Sequence, residues 1–229
     1  MIKLKTLQHK LTEFIKARPE AWLLLYWPIH TVIYMVLNKL TPYMNYHVIY
    51  SPTDDKIPFI EYFVLPYDLW FFYIAATLLY FLWKNKRDYL RTSFMLISGM
   101  AISTLICFIY PSMHELRPVV FARENICTAL VKALYETDNP AVIFPSMHVL
   151  ISLLLAISLW TAECMKGKTA VRIAGTVLSV LICMATVFIK QHSILDVYFA
   201  LVMVIPICIV TYCFSRKARR RSKDAVISR

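Results

Sequence analysis

The chain has 229 residues, 59% of them hydrophobic, and a mean hydropathy of +0.58. This composition excludes an ordinary soluble domain and favours a single integral membrane domain. The formal net charge of +11 would suit nucleic acid only if the basic residues formed one continuous surface. The three glycines are dispersed, which excludes the glycine-rich phosphate loops of soluble nucleotide-binding folds.

The first segment, residues 1–20, is basic and amphipathic. Lys3, Lys5 and Lys10 are interleaved with apolar residues such as Leu7 and Leu11. This spacing predicts a helix on an anionic, cytoplasmic membrane surface, and it lacks the small-residue cleavage site of a signal peptide.

Six apolar stretches approach the roughly 20 residues that a helix needs to cross a membrane. They are residues 21–39, 66–84, 92–110, 146–163, 172–190 and 194–214. The sequence therefore predicts an all-α, polytopic membrane bundle of six transmembrane helices over residues 21–214. A basic cytoplasmic tail is predicted for residues 215–229.

The basic residues predict the orientation of these helices. With the N-terminus in the cytoplasm, 19 of the 25 lysines and arginines fall on the cytoplasmic side, as the positive-inside rule requires. Both termini are therefore predicted to be cytoplasmic, with the cell membrane as the default location. Because the charges flank the spans, no nucleic-acid partner is predicted.

Two of the predicted outer loops are long. The loop at residues 40–65 is rich in proline and tyrosine, which predicts a rigid, extended cover. In the loop at residues 111–145, Ile126, Leu130 and Leu134 have helical spacing and predict a short interfacial helix. We favour a role for this helix in ordering the loop over a role as a lid on the substrate. The adjacent Asp54 and Asp55 are predicted to be exposed. No metal or cofactor is predicted, since no Cys/His spacing fits a zinc site.

Three polar clusters are predicted to meet at the outer membrane surface. They are Arg117 in the loop before span four, Ser146 and His148 at the start of span four, and Lys190, Gln191, His192 and Asp196 between spans five and six. Because two crossings separate His148 from His192, both return to the same side of the membrane. Ionisable residues at the ends of membrane spans favour a functional interpretation.

These residue types suit phosphoryl transfer. His192 and Asp196 are four residues apart, which places them on one face of a helix if span six starts at about His192. A carboxylate that accepts the proton of one imidazole nitrogen leaves the other as a nucleophile or base. His148 is then a candidate proton donor to the leaving oxygen, and Arg117 and Lys190 are candidate phosphate contacts.

The tetrapeptide Pro-Ser-Met-His occurs twice, at residues 111–114 and 145–148. The second copy begins an apolar helix, whose free amides and partial positive charge suit a phosphate. The first copy ends an apolar run and has no helix behind it. We therefore interpret the duplication as coincidence and predict that His114 is an exposed loop histidine.

These motifs resemble a known family. Arg117-Pro118, the segment 145–148, and His192 with Asp196 resemble, in order and spacing, the three signature motifs of the type 2 phosphatidic acid phosphatase (PAP2) superfamily. The resemblance covers residues 66–214 and implies a six-helix, metal-independent lipid phosphatase or phosphotransferase. It further implies that His192 is a nucleophile that forms a phosphohistidine, with Asp196 as its partner and His148 as general acid. Arg117 and Ser146 would hold the phosphate.

Each of the three motifs departs from the family pattern. Tyr110 stands where the first motif usually opens with Lys, Met147 stands where the second usually has Gly, and Ala185-Thr186 replaces the Ser-Arg of the third. Lys190 is predicted to supply the missing charge, and Tyr110 and Met147 are kept among the predicted phosphate contacts. Such departures resemble the branch that includes inositol phosphorylceramide synthase-like enzymes.

The resemblance implies a lipid phosphatase acting at the outer leaflet on a phosphatidic acid, phosphatidylglycerol phosphate or polyprenyl diphosphate type of substrate. Two alternatives stay open. One is a phospho-headgroup transferase, in which an alcohol replaces water as the acceptor. The other is a non-catalytic membrane protein that binds lipid phosphates. The sequence does not specify the oligomeric state. The predicted partners are the lipid phosphate substrate and membrane lipids.

Overall fold

The computed structural model describes residue 13 and residues 17–227, with the side chains of residues 42 and 215–227 outside the description. In this part of the chain there are eight α-helices, four short 3-10 segments and one pair of parallel strands. The helices are α1 (Tyr26–Leu40), α2 (Pro52–Lys56), α3 (Val64–Lys84), α4 (Lys86–Ile109), α5 (Ile126–Thr137), α6 (Met147–Thr161), α7 (Thr169–Phe188) and α8 (Ile194–Ile227). The strands are β1 (His47–Val48) and β2 (Ser112–Met113).

The helical membrane-type fold predicted from the sequence is confirmed, since each predicted span falls on a helix. Within the described residues, five helical segments are long and apolar enough to cross a membrane: Pro19–Leu40, Glu61–Lys84, Lys86–Ile109, Thr169–Phe188 and Ile194–Phe214. The stretch predicted as span four is the shorter helix α6, which has 15 residues. Six spans and cytoplasmic termini stay predictions.

Helix α6 lies at the centre of the bundle. It packs against α4, α7 and α8. Its fully buried apolar residues are Val149, Leu150, Ile151, Leu154 and Leu155. Helix α4 approaches it closely at Gly99, where a Cβ atom would lie 3.2 Å from Leu154 Cδ1. Since side chains of neighbouring helices cover α6 on several faces, these five residues contact protein and not lipid.

The surrounding helices carry large exposed apolar side chains. Phe71 and Phe72 on α3 and Val202 on α8 all point away from the bundle. An exposed apolar surface of this kind is stable only in contact with lipid or another apolar surface. The outer surface of the bundle is therefore typical of a membrane protein.

The two ends of the chain extend this bundle on its predicted cytoplasmic side. Arg18 donates to the carbonyl oxygen of Trp83 at 2.8 Å, and Glu20 forms an ion pair with Lys86 at 2.9 Å. The amphipathic helix predicted for residues 1–20 lies almost entirely outside the described residues. Helix α8 continues to Ile227 through most of the predicted tail.

The loop at residues 40–65 is folded, where the sequence predicted an extended cover. It contains β1, which pairs with β2, and α2, which begins with a capping box between Ser51 and Asp54. The prediction that Asp54 is exposed is wrong, because its side chain is 1% exposed and accepts hydrogen bonds from another part of the chain. Asp55, its neighbour, is exposed as predicted.

The short helix predicted around residues 126–134 is confirmed as α5. Its buried residues are Thr128 and Val131, whereas Ile126, which belongs to the predicted apolar stripe, is exposed. Asn125 begins the helix by accepting the amide proton of Thr128 at 2.9 Å. The helix thus packs on the bundle through a different face from the one that its leucine spacing indicated.

The central position of α6 predicts the effect of truncating Leu154. Leu154→Ala should lower the free energy of unfolding by about 1–3 kcal/mol, because the shorter side chain leaves a cavity and loses packing contacts. The loss of hydrophobic transfer free energy adds little, since lipid is as apolar as the protein core. Phe72→Ala, at a side chain that is 73% exposed, should change it by less than about 0.5 kcal/mol. Thermal unfolding of both variants in the same detergent compares them, and equal losses would contradict the central role of α6.

Candidate active site

His192 and Asp196 form a buried pair at the start of α8. Nδ1 of His192 lies 3.0 Å from Oδ2 of Asp196, and the same oxygen accepts the amide proton of Ser193 at 3.1 Å. Because an ionised carboxylate can only accept, the shared proton belongs to Nδ1 of His192. The lone pair of this imidazole therefore lies on Nε2.

The turn before this pair fixes the position of His192. The amide of Gln191 donates to the carbonyl oxygen of Thr186 at 2.9 Å, and the amide of Lys190 donates to that of Val187 at 3.3 Å. This is the hydrogen-bond pattern of a Schellman motif, which ends a helix with one residue in the left-handed conformation. Lys190 is that residue, with φ of 53°. The amide of His192 also donates to the carbonyl oxygen of Thr186, at 3.0 Å.

The side chain of Lys190 points to the outer loop. Its Nζ donates to the carbonyl oxygens of Asp54 and Ile57, each at 2.6 Å. A phosphate contact by Lys190 would require its ammonium group to leave these two carbonyls. In this arrangement Lys190 ties the turn to α2.

His148 faces His192 from the first turn of α6. The two ring centroids are 6.4 Å apart. The ring of His148 stacks on Tyr67, with centroids 4.1 Å apart, and tilts against Trp70 at 4.2 Å. Among the described residues no partner lies within hydrogen-bond distance of its buried Nε2. Helix α3 thus supplies an aromatic wall that orients His148.

Arg117 reaches the same turn from the loop before α5. Its Nη1 donates to the carbonyl oxygens of Asp138 at 2.8 Å and Tyr135 at 3.2 Å, and its Nη2 donates to Oε1 of Gln191. The guanidinium group also lies over the ring of Tyr135, 4.4 Å from its centroid. Two buried donors, Arg117 Nε and Gln191 Nε2, have no acceptor within the described part of the chain.

The remaining predicted site residues occupy different places. Ser146 is fully buried and precedes α6, where its Oγ accepts the amide proton of Val149 at 3.5 Å. Met147 is the first residue of α6. Tyr110 ends α4, and its ring stacks on His47 with centroids 4.1 Å apart. The structure therefore brings Ser146 and Met147 to the histidines, whereas the described contacts of Tyr110 are with His47 and Phe144.

An apolar groove opens beside this cluster. It has a volume of about 650 Å³, and its lining includes Tyr110, Phe144, Leu195 and Phe199. Leu195 immediately precedes Asp196, and Phe144 comes two residues before Ser146. The groove thus adjoins the polar cluster on the outer surface of α4 and α8.

The prediction that His114 is an exposed loop histidine is wrong. His114 is 1% exposed. Its Nδ1 accepts the amide proton of Leu116 at 3.1 Å, and its Nε2 therefore donates to the carbonyl oxygen of Gln191 at 2.8 Å. The burial removes the imidazole from water, and these two bonds hold its neutral form against the turn that carries His192.

The first Pro-Ser-Met-His copy has a structural role. The carbonyl oxygen of Ser112 accepts the amide proton of Val142 at 2.6 Å, and its Oγ accepts that of Phe144 at 3.1 Å. These bonds fix the segment that leads into the second copy. The first copy thus connects the two histidine segments, through Ser112 on one side and His114 on the other.

Three residues that shape this cluster were not predicted from the sequence: Asp54, Tyr67 and Ser193. The capping-box spacing of Ser51 and Asp54 was a local signal for α2. Ser193 directly follows His192, which was a second signal. No local pattern distinguishes Tyr67 from the other aromatic residues of α3, because its contact with His148 is long-range.

The fold and this cluster define a helical membrane-type protein with a buried histidine–carboxylate pair. A family model described as PAP2 superfamily matches residues 89–220, and the chain belongs to that superfamily. Its members are generally phosphatases or phosphotransferases. No curated protein matches the chain, and no solved structure matches it.

The burial of His114 predicts a pH dependence of stability. Burial, with a smaller contribution from the nearby His192, lowers the pKa of His114 from 6.5 to about 4. Between these pH values the unfolded chain binds the additional proton, so the free energy of unfolding falls as the pH drops through this window. His114→Gln, which retains a donor and an acceptor without titrating, should remove about 2–3 kcal/mol of the loss between pH 7 and pH 4.5.

Thermal unfolding of both proteins in detergent at the two pH values measures this difference. The comparison isolates His114, because every other titrating group is shared. Equal losses of stability on acidification would contradict a buried, neutral His114.

Proposed function

We propose that this protein is a membrane lipid phosphatase that hydrolyses a lipid phosphomonoester or diphosphate through a phosphohistidine on His192. The observation that carries the proposal is the bond between His192 Nδ1 and Asp196 Oδ2, with His148 facing the pair from another helix. A binding protein has no need for an oriented nucleophile opposite a second histidine. Family membership supports the same class of chemistry.

In the first step Nε2 of His192 attacks phosphorus, and the bond between phosphorus and the lipid oxygen breaks. His148, which takes up a proton when the phosphate anion binds beside it, transfers this proton to the departing oxygen, so that the lipid leaves as an alcohol or, from a diphosphate, as a monophosphate. Asp196 accepts a hydrogen bond from Nδ1 of His192 throughout and stabilises the positive charge that develops on the ring.

In the second step water attacks the phosphorus of the phosphohistidine. Neutral His148 takes a proton from this water, and the bond between phosphorus and Nε2 breaks. Inorganic phosphate leaves, His192 returns to its neutral form, and His148 is again protonated. All protons are thus returned within the cycle.

The phosphate is held by donors around these histidines. The buried Nε of Arg117 and Nε2 of Gln191, which lack acceptors among the described residues, donate to its oxygens. Amides in the first turn of α6, at Met147 and His148, have no carbonyl partners within the helix and add donors there. Ser146 caps this turn, and Lys190 contributes by tying the His192 turn to α2.

The lipid part of the substrate enters from the membrane. The apolar groove beside Leu195 and Phe144 accommodates hydrocarbon next to the phosphate donors. We propose that the site faces the outer leaflet of the cell membrane and that both termini are cytoplasmic, because most lysines and arginines then lie inside.

Six spans follow if α6 crosses as well. Its 15 residues extend about 22 Å at about 1.5 Å per residue, short of the roughly 30 Å hydrocarbon layer. Irregular backbone is tolerated at membrane depth when other protein surrounds it. The buried segment at residues 141–143 and 145–146 meets this condition at the outer end of α6.

Removing either histidine should abolish hydrolysis. Purified protein in detergent with a chelator present should release phosphate from phosphatidic acid, phosphatidylglycerol phosphate or polyprenyl diphosphate. His192→Ala and His148→Ala should each lower kcat by about 1,000-fold or more, because the nucleophile or its proton donor is lost. His47→Ala, at a histidine that stacks on Tyr110, is the matched control and should retain activity.

The other functions have distinct outcomes in this assay. Headgroup exchange onto an added alcohol without phosphate release would identify a phosphotransferase. Saturable binding of lipid phosphate without either reaction would identify a binding protein. Unchanged turnover in both histidine variants would contradict the mechanism.

The proposed orientation predicts where a C-terminal reporter lies. A reporter that is fluorescent only in the cytoplasm, fused after residue 229, should be fluorescent, because six crossings from a cytoplasmic N-terminus return the chain to the cytoplasm. The same reporter inserted after Tyr43 in the outer loop should be dark. The opposite pattern would place the site on the cytoplasmic side.

A further inference from the structure

The carboxylate of Asp54 bonds to the start of α8 from the outer loop. Its Oδ2 accepts the hydroxyl proton of Ser193 at 2.6 Å, and its Oδ1 accepts the amide proton of Ile194 at 2.8 Å. The remaining bond runs within its own segment, where Oδ2 accepts the amide proton of Ser51 at 2.9 Å. Asp54 thus caps α8 although it lies 139 residues before Ser193 in the sequence.

A second contact joins the same two segments in the opposite direction. Nζ of Lys190 donates to the carbonyl oxygens of Asp54 and Ile57. The turn at residues 190–194 therefore donates hydrogen bonds to the Asp54 carboxylate, and its Lys190 also donates to two backbone carbonyls in and next to α2. Capping of α8 requires only the bonds to the carboxylate, so the Lys190 bonds are an additional attachment between the two segments.

Asp54 connects to His192 through Ser193. The hydroxyl group of Ser193 bonds to Asp54, and its amide bonds to Oδ2 of Asp196, the oxygen that accepts Nδ1 of His192. Because Asp54 bonds both to the Ser193 hydroxyl and to the next backbone amide, that of Ile194, it restrains the backbone that carries the Ser193 amide. The orientation of Asp196 therefore depends on the carboxylate of Asp54.

We propose that Asp54 is a positioning residue for the nucleophile: it fixes Ser193, which aligns Asp196 and thereby the attacking nitrogen of His192. The predicted effect on the reaction rate rests on the proposed function, whereas the alignment of Asp196 and His192 is a property of the fold. Asp54 contacts neither histidine in this network, so it acts on the transition state through alignment and not through substrate binding.

Asp54→Asn tests the proposal with little change in shape. Loss of alignment should lower kcat by about 10- to 100-fold, since a displacement of about 1 Å at the reacting centre has an effect of this size. KM for a short-chain phosphatidic acid should change by less than about 2-fold, because the phosphate donors are intact. Asp55→Asn removes the same charge one residue away at an exposed side chain and should leave both constants unchanged.

A second variant shows whether Asp54 acts through Ser193. Ser193→Ala removes the hydroxyl group that donates to Asp54. The double variant Asp54→Asn/Ser193→Ala should be no slower than the slower single variant, because both substitutions break the same chain of contacts. If the two effects multiply, Asp54 acts by another route and the proposal fails. If Asp54→Asn does not fold, Ser193→Ala compared with Asp55→Asn carries the same test.

A spectroscopic measurement decides the alignment without turnover. In protein labelled with ¹⁵N-histidine, the Nδ1 proton of His192 in its bond to Asp196 should give a downfield resonance that disappears in His192→Asn. This resonance should shift or broaden in Asp54→Asn and stay in place in Asp55→Asn. An unchanged resonance in Asp54→Asn would overturn the proposal. Absence of phosphate release by the unmodified protein, with a shifted resonance in Asp54→Asn, would overturn only the proposed function.

Discussion

The site depends on the turn between α7 and α8, where the chain reverses direction beside the apolar core. Backbone groups at this depth cannot rely on water, so each requires a partner within the protein. The carbonyl oxygen of Thr186 accepts two amide protons, from Gln191 and His192, and Lys190 takes the left-handed conformation that closes the turn. Because these bonds fix the backbone, the side chain of His192 leaves the turn in one direction, toward Asp196.

Three residues from two outer segments bond to this turn. His114 donates to the carbonyl oxygen of Gln191, Arg117 donates to its side chain, and Asp54 accepts from Ser193 and Ile194. His114 and Arg117 belong to the loop before α5, whereas Asp54 belongs to α2. A buried polar network of this kind is stable only when its members are bonded together, which explains why residues far from the signature motifs contribute to the geometry of His192.

The departures from the family pattern have local explanations in part. Thr186, at a position where the third motif usually has Arg, is fully buried in α7 and supplies the carbonyl oxygen that closes the turn. Tyr110, where the first motif usually has Lys, stacks on His47 at the edge of the apolar groove. Nothing in the structure explains Met147 where the second motif usually has Gly.

The sequence by itself determined the membrane-type helices, the start of α6 at Ser146 and the short separation of His192 and Asp196 along the chain. Each of these follows from neighbouring residues, through hydropathy, a cap or proximity in the sequence. The expected shared helix face is not formed, because α8 begins at Ile194 and His192 lies in the turn before it. Only the tertiary structure decided which loop residues join the site. His114 and Asp54 were predicted to be exposed, yet both are buried against partners at residues 191–194, which are 77 to 140 positions away in the sequence. Local sequence patterns do not predict such contacts, because the contacts form only when separate segments pack at the same end of the bundle.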